Sequence, residues 1–245
     1  LQCLTEREGL IREGESWRCR IPLSEIPEPQ EACPQSQWSQ ALAQYLETCI
    51  ARHDALFSGQ CSPLELLFNE QHRVTDALYR DNPASACLNR YTAQIAALCS
   101  AERILEVGAG TAATTAPVLK ATRNTRQSYH FTDVSAQFLN DARARFHDES
   151  QVSYALFDIN QPLDFTAHPE AGYDLIVAVN VLHDASHVVQ TLRRLKLLLK
   201  AGGRLLIVEA TERNSVFQLA SVGFIEGLSG YRDFRRRDEK PMLTR

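Results

Sequence analysis

Five polar residues stand where short apolar runs stop. Asp133 follows the run 128–132, Asp158 follows 152–157, Asn180 and His183 follow 173–179, and Glu209 closes 204–209. A sixth, Glu106, lies inside the apolar run Ile104 to Val107, and Gly108 and Gly110 come directly after it. Two glycines so placed permit a tight turn and let the backbone approach a ligand closely. An acid about twenty residues beyond such a turn can accept hydrogen bonds from ribose hydroxyls, which is the position of Asp133. Read singly, each of these polar residues also suits a helix cap or a loop, and a glycine pair by itself says little. Their convergence at the ends of successive runs points to one ligand crevice.

That crevice needs a scaffold. From residue 103 onward, apolar runs of strand length alternate with helical spacings. Ile104 to Val107 reads as the first strand, and Thr111 to Thr115 can start a helix with Pro117 near its first turn. Ser128 to Thr132 is the second strand. Ser135 can cap a helix carrying Phe138, Leu139, Ala142 and Phe146 on one face. Val152 to Phe157 is the third strand. Tyr173 to Val179 is nearly all apolar, as a central parallel strand buried on both faces requires. Val188, Leu192, Leu195 and Leu199 mark the next helix, Gly202 and Gly203 its end, and Arg204 to Glu209 the fifth strand. The order predicts a doubly wound, open parallel α/β sheet of the Rossmann-like kind, whose ligands bind beyond the carboxyl ends of the strands.

The first hundred residues differ in character. All seven cysteines and both tryptophans precede residue 101, and the shift predicts a division into residues 1–100 and 101–245. Residues 1–35 carry Pro22, Pro27, Pro29 and Pro34 and read as irregular or strand-like. Trp38, Leu42, Tyr45, Leu46, Cys49 and Ile50 recur at helical steps. Ser62-Pro63-Leu64-Glu65 has the form of a capping box, and Leu88, Tyr91, Ile95 and Leu98 give a further amphipathic helix. Cysteines without metal-ligand spacing read as reduced thiols of a cytoplasmic protein, and no metal site is expected. His53, His72, His147 and His168 lie in polar surroundings; His187 could share a helix face with His183. Arg235, Arg236 and Arg237 read as a solvated basic face, or one that meets an acidic carrier protein. A net charge of −4 gives no drive toward nucleic acid, and no run is apolar and long enough to span a membrane. Because the chain begins with Leu1, it is expected to be part of a longer polypeptide.

The string Ile104-Leu105-Glu106-Val107-Gly108-Ala109-Gly110-Thr111 resembles the first motif of class I S-adenosylmethionine-dependent methyltransferases. Phe131 to Ser135, Asn180 to His183, Leu198 to Gly203 and Glu209-Ala210-Thr211 resemble, more narrowly, the carbon-methylating domains built into polyketide and nonribosomal peptide synthases. Pro63 to Phe68, Leu78 to Pro83 and the tail from Gly227 to Leu243 are similar to that family's helical lid and ending. The resemblance implies a Rossmann-like core under an N-terminal helical lid subdomain, with S-adenosylmethionine as cofactor. It implies that Glu106, Gly108 and Gly110 frame the methionine and ribose portion, that Asp133 holds the ribose, that Asp158 lies by the adenine, and that Asn180 belongs to the same cofactor site. His183 would be the base that removes an α-proton from a thioester on the phosphopantetheine arm of an acyl or peptidyl carrier protein, with Glu209 orienting it. Neighbouring domains of the same synthase would be its other partners.

Two departures from the family pattern stand out. Ala112 and Ala113 replace glycines, so that two methyl groups either weaken cofactor binding or shift the loop. The family core also finishes with two further strands, for which this chain has no room, so the fifth strand is expected to be an exposed edge of a longer parent. A second reading follows from the altered loop. In it, the domain is a methyltransferase-derived epimerase of a siderophore nonribosomal peptide synthetase, using the same histidine to remove and return a proton.

Overall fold

The computed structural model describes residues 10–13, 16–19, 37–68, 73–123, 127–163, 172–209 and 230–238. The prolines of the leading segment, His72, His168, Ala210, Thr211 and most of the tail from Gly227 onward lie outside these residues. Within the leading segment, β1 (Leu10–Glu13) and β2 (Ser16–Cys19) pair antiparallel.

The helices α1 (Gln37–Ala51), α2 (His53–Phe57), α3 (Pro63–Leu67) and α4 (Arg73–Asp76) share an apolar cluster that includes Tyr45, Cys49, Leu66, Leu67 and Val74. Ser62 does begin α3, with Pro63 at its first position, but its side chain makes no capping bond; the Glu65 amide donates to the Ser62 carbonyl instead. A π-helical turn, Ala77–Asp81, follows α4 and leads into α5 (Pro83–Leu98), which Asn82 caps by accepting from the Ala84 amide at 2.9 Å.

The apolar stripe expected to bury α5 faces outward. Leu88, Tyr91, Ile95 and Leu98 are all exposed, Leu98 by 84%, whereas Asn89, Thr92, Ala93 and Ala96 are buried. Small residues let α5 approach α6 (Thr115–Thr122) closely. The polar members of that face are satisfied locally. Thr92 donates to the Leu88 carbonyl, Asn89 donates to the Tyr79 carbonyl at 2.8 Å, and Thr114 donates to Asn89 at 2.9 Å. A polar side chain with its hydrogen bonds made can be buried at little cost.

The sheet is parallel throughout, in the order β5-β4-β3-β6-β7. Its strands are β3 (Arg103–Val107), β4 (Ser128–Asp133), β5 (Val152–Leu156), β6 (Tyr173–Val179) and β7 (Leu199–Val208). Period-two alternation divides the central side chains between two layers. Leu105, Val107, Ile176 and Ala178 pack on one face with Leu195 and Leu198 of α8 (Val188–Leu198). Ile104, Leu175 and Val177 pack on the other with Ala93 and Ala96 of α5 and Val118 and Leu119 of α6. A further helix, α7 (Ala136–Arg145), covers β4 and β5, and a short helix, α9 (Phe234–Asp238), follows β7 later in the chain. Chain order reverses between β3 and β6, so the crevice of an open α/β sheet opens at their carboxyl ends.

Three boundaries differ from expectation. Residues 111–114 form turns, and α6 begins only at Thr115. The helix after β6 stops at Leu198, and Leu199 opens β7. Gly202 and Gly203 therefore lie in the strand, where the pairing slips between Tyr173↔Leu199 and Leu175↔Arg204. A Cβ on Gly203 would stand 2.7 Å from the Tyr173 carbonyl oxygen, so this glycine serves a bulge and not a helix end. Among the described residues, β7 pairs only with β6, and no helix is long and apolar enough to cross a membrane.

Candidate active site

The turn after β3 is left-handed at three residues, Gly108 (φ 61°), Gly110 (φ 52°) and Ala112 (φ 61°). The two glycines have different reasons to be glycine. A Cβ on Gly108 would fall 2.3 Å from Val181 Cγ2, because the loop after β6 packs directly against the turn. A Cβ on Gly110 would meet nothing nearer than the Gly108 carbonyl at 4.0 Å, so this residue borders open space. Ala112 sends its methyl group inward, to a cluster with Phe131, Leu139 and Ala142, and is buried. Its methyl is therefore spent on the core.

Asp133 ties this turn to the next one. Its Oδ2 accepts from the Gly110 amide at 2.9 Å and its Oδ1 from the Ser135 amide at 2.8 Å. Burial raises its pKa, and the backbone hydrogen bonds oppose that rise. Ser135 precedes α7 as expected but makes no side-chain cap. Glu106 lies beneath the turn. Its Oε2 accepts from the Thr115 and Tyr129 hydroxyls, each at 2.6 Å, and burial pushes its pKa up to about 7. Asp158 follows β5, where its Oδ1 accepts from the Asn160 amide at 2.8 Å. Asn180 stands at φ 51° just past β6, its amide donating to the Val208 carbonyl at 2.8 Å.

His183 and Glu209, which leave adjacent strands, meet. Glu209 Oε2 lies 2.9 Å from His183 Nδ1, while Oε1 accepts from the amides of Val181 at 2.7 Å and Leu182 at 2.5 Å. The carboxylate can only accept, so Nδ1 carries the proton and Nε2 is left with its lone pair. Nε2 is 3.7 Å from Asp184 Oδ1. Burial draws the imidazole pKa down; the Glu209 hydrogen bond and the charges of Asp184 and Glu209 outweigh it, and the net direction is up. Tyr79, in the π-helical turn, stands close enough to feel both carboxylates: burial and the charges of Asp184 and Glu209 push its phenol up to about 12.

His183 sits on a one-turn 3-10 helix, Leu182–Asp184, so it shares no helix with His187, which precedes α8. The turn is held from several directions. Asn160 donates from Nδ2 to the Asp184 carbonyl at 3.1 Å and accepts the Ser186 amide at 2.7 Å. Arg235, expected on a solvated face, is instead 1% exposed and bonded to the carbonyls of His183 and Ala185. The correction has a physical cause: the fork of a guanidinium matches two carbonyls and the Asp233 carboxylate at once, which offsets its desolvation. Tyr79, Asn160 and Arg235 are the residues that sequence reasoning did not assign to this site. Tyr79 and Arg235 left traces there, inside the string Leu78 to Pro83 and the tail from Gly227 to Leu243, and Asn160 left none.

This chain is similar in sequence and fold to known proteins. A family profile described as a methyltransferase domain matches residues 105–205. Polyketide synthase ThaG of Burkholderia thailandensis is 36% identical over 216 residues, which are 82% of this chain and 4% of that protein. Polyketide synthase PksR of Bacillus subtilis is 30% identical over 208 residues, 79% of this chain and 8% of that protein. This chain thus spans a small part of the length of these relatives. The crystal structure of the CurJ carbon methyltransferase superimposes with a TM-score of 0.85 at 28% identity, covering 100% of this chain and 68% of that one. The citrinin polyketide synthase CMeT domain shares the fold, with a TM-score of 0.86 at 22% identity, covering 99% and 67%.

Proposed function

The chain belongs to the class I S-adenosylmethionine-dependent methyltransferases, of the type found in polyketide synthases, and from that premise we propose that it methylates the α-carbon of an acyl thioester held by a carrier protein. The observation that carries this reading is the contact between His183 Nδ1 and Glu209 Oε2 at the carboxyl end of the sheet. A carbon acceptor must lose a proton before it becomes a nucleophile, whereas many oxygen and nitrogen acceptors carry a lone pair already. A thioester carbonyl acidifies the neighbouring C–H by delocalising its charge into an enolate, and a carbonyl at the 3-position acidifies it further, toward the range of an imidazole base.

The cofactor is S-adenosylmethionine, and the turn fits it: the bare face of Gly110 opens to space, and Asp133 stands across from it with lone pairs beyond the two already engaged. Gly108, Gly110, Asp133, Asp158 and Asn180 would hold it, with Glu106 bracing the turn from below. Bound there, it supplies a methyl group on a cationic sulfur. His183 Nε2 takes the α-proton, the C–H electron pair passes into the thioester enolate, and Glu209 stabilises the imidazolium formed. The proton then leaves to solvent. The helices before residue 100 would act as the lid and the carrier protein would deliver the substrate.

The test is transfer of a labelled methyl group to a carrier-bound acyl thioester. His183→Ala is expected to lose about 10²–10⁴-fold in rate while S-adenosylmethionine affinity stays near wild type; Asp133→Ala is expected to weaken that affinity. Full methyl transfer by His183→Ala would overturn the assignment of the base. Wild-type protein that inverts the α-carbon and transfers no methyl would establish the epimerase instead.

A further inference from the structure

We propose that Arg235 is a positioning residue for the His183 base, gripping the main chain of its turn from 52 residues downstream. The proposal rests on the reading of His183 as a base and adds to it a residue that touches neither substrate nor cofactor.

A buried guanidinium is costly unless its donors are all engaged. Arg235 offsets that cost with four hydrogen bonds from one fork. Nε donates to Asp233 Oδ1 at 2.9 Å, and one terminal nitrogen donates to Asp233 Oδ2 at 3.0 Å and also to the Ala185 carbonyl. The other terminal nitrogen donates to the His183 carbonyl at 3.0 Å. Asp233 extends the grip by accepting the Val188 amide at 2.9 Å, and the Arg232 amide donates to the Ser186 carbonyl at 2.7 Å. The ring of Tyr231 lies 5.3 Å from the guanidinium carbon. The segment 231–235 therefore fixes residues 183, 185, 186 and 188, while Glu209 fixes 181 and 182 and the imidazole itself.

This grip is more than structural mortar, because it carries a charge next to the base. The groups that act on the imidazole are the carboxylates of Glu209 and Asp184, which favour the imidazolium, and burial together with the Arg235 cation, which disfavour it. Tyr79, which feels the same two carboxylates, stays a neutral phenol. Arg235 thus sets the direction of His183 and moderates its proton affinity, with Asp233 holding the guanidinium in place. Lysine would keep the charge but lose the fork, and glutamine would lose the charge.

The experiment compares wild type, Arg235→Lys and Arg235→Gln in the full chain. It measures methyl transfer from labelled S-adenosylmethionine to 3-oxobutanoyl-N-acetylcysteamine across pH 6–9, cofactor affinity by calorimetry, and the His183 ring titration by nitrogen-15 NMR. Arg235→Lys is expected to lower kcat by about tenfold, as a small misplacement of a catalytic group does, with the titration and cofactor affinity near wild type. Arg235→Gln is expected to lower kcat further and to move the His183 titration upward. Wild-type kcat and titration in folded Arg235→Gln would overturn the proposal. So would failure of both variants to fold, since Arg235 would then serve the fold and not the base. Should the wild type transfer no methyl while the titration still moves in Arg235→Gln, the methyltransferase reading falls and the grip on His183 stands.

Discussion

At the scale of single residues, the site works by dividing labour between the two nitrogens of one imidazole. Glu209 fills both of its oxygens, one with two backbone amides and one with His183 Nδ1, so it cannot swing away without breaking three hydrogen bonds. The same contact raises the His183 pKa despite burial. A base acts only when deprotonated, so the acidic limb of the pH–rate profile is expected above the ordinary imidazole value of about 6.5. Glu209→Gln keeps the shape but removes the charge, and it is expected to move that limb downward and to cut the maximal rate. A limb unchanged in this variant would show that Glu209 does not act on His183. Ala112 illustrates a different balance. A non-glycine residue in the left-handed region costs about 1 kcal/mol, and one buried methyl returns about 0.8 kcal/mol. The departure from glycine is close to neutral for the fold.

At the scale of elements, α5 shows how packing partner overrides periodicity. Its apolar stripe would suit a helix that meets a flat apolar surface. Its actual neighbours are α6 at close range and one face of the sheet, and this close approach selects Ala93 and Ala96 and leaves Leu98 outside. The two faces should therefore answer mutation in opposite ways. Ala96→Leu is expected to destabilise by about 1–3 kcal/mol through overpacking, and Leu98→Gln by less than about 0.5 kcal/mol. Denaturant unfolding of the two variants checks this; a larger loss for Leu98→Gln would reverse the orientation of the helix. The glycines of β7 carry the same lesson, since Gly203 answers to the carbonyl of Tyr173 on the next strand and not to the helix behind it.

At the scale of the whole molecule, Glu106 couples the fold to pH. Its carboxyl joins β3, β4 and the start of α6, and burial raises its pKa to about 7. A carboxyl that holds its proton more tightly when folded contributes stability that is complete below the ordinary carboxylate value. That contribution is lost as pH rises through about 7. Stability is therefore expected to decline between about pH 4.5 and 7 by as much as roughly 3 kcal/mol from this group. Glu106→Gln, which has no proton to lose, is expected to flatten that decline in melting temperature measured from pH 5 to 8. An equal decline in both proteins would remove Glu106 as its source.

The sheet itself was legible in the residues. Local apolar runs and glycine turns depend on near neighbours, and they identified all five parallel strands and the crevice at their carboxyl ends. The pairing of His183 with Glu209 was legible as well, because adjacent parallel strands deliver their ends to the same edge. What sequence could not determine were matters settled by distant partners. The side of α5 that is buried depends on α6, the use of Gly203 on β6, the direction of the Ala112 methyl on α7, and the burial of Arg235 on a turn 52 residues away. Three adjacent arginines look alike as letters. Only the folded chain brings two carbonyls and a carboxylate within reach of one of them, and that proximity, not its residue type, made it part of the site.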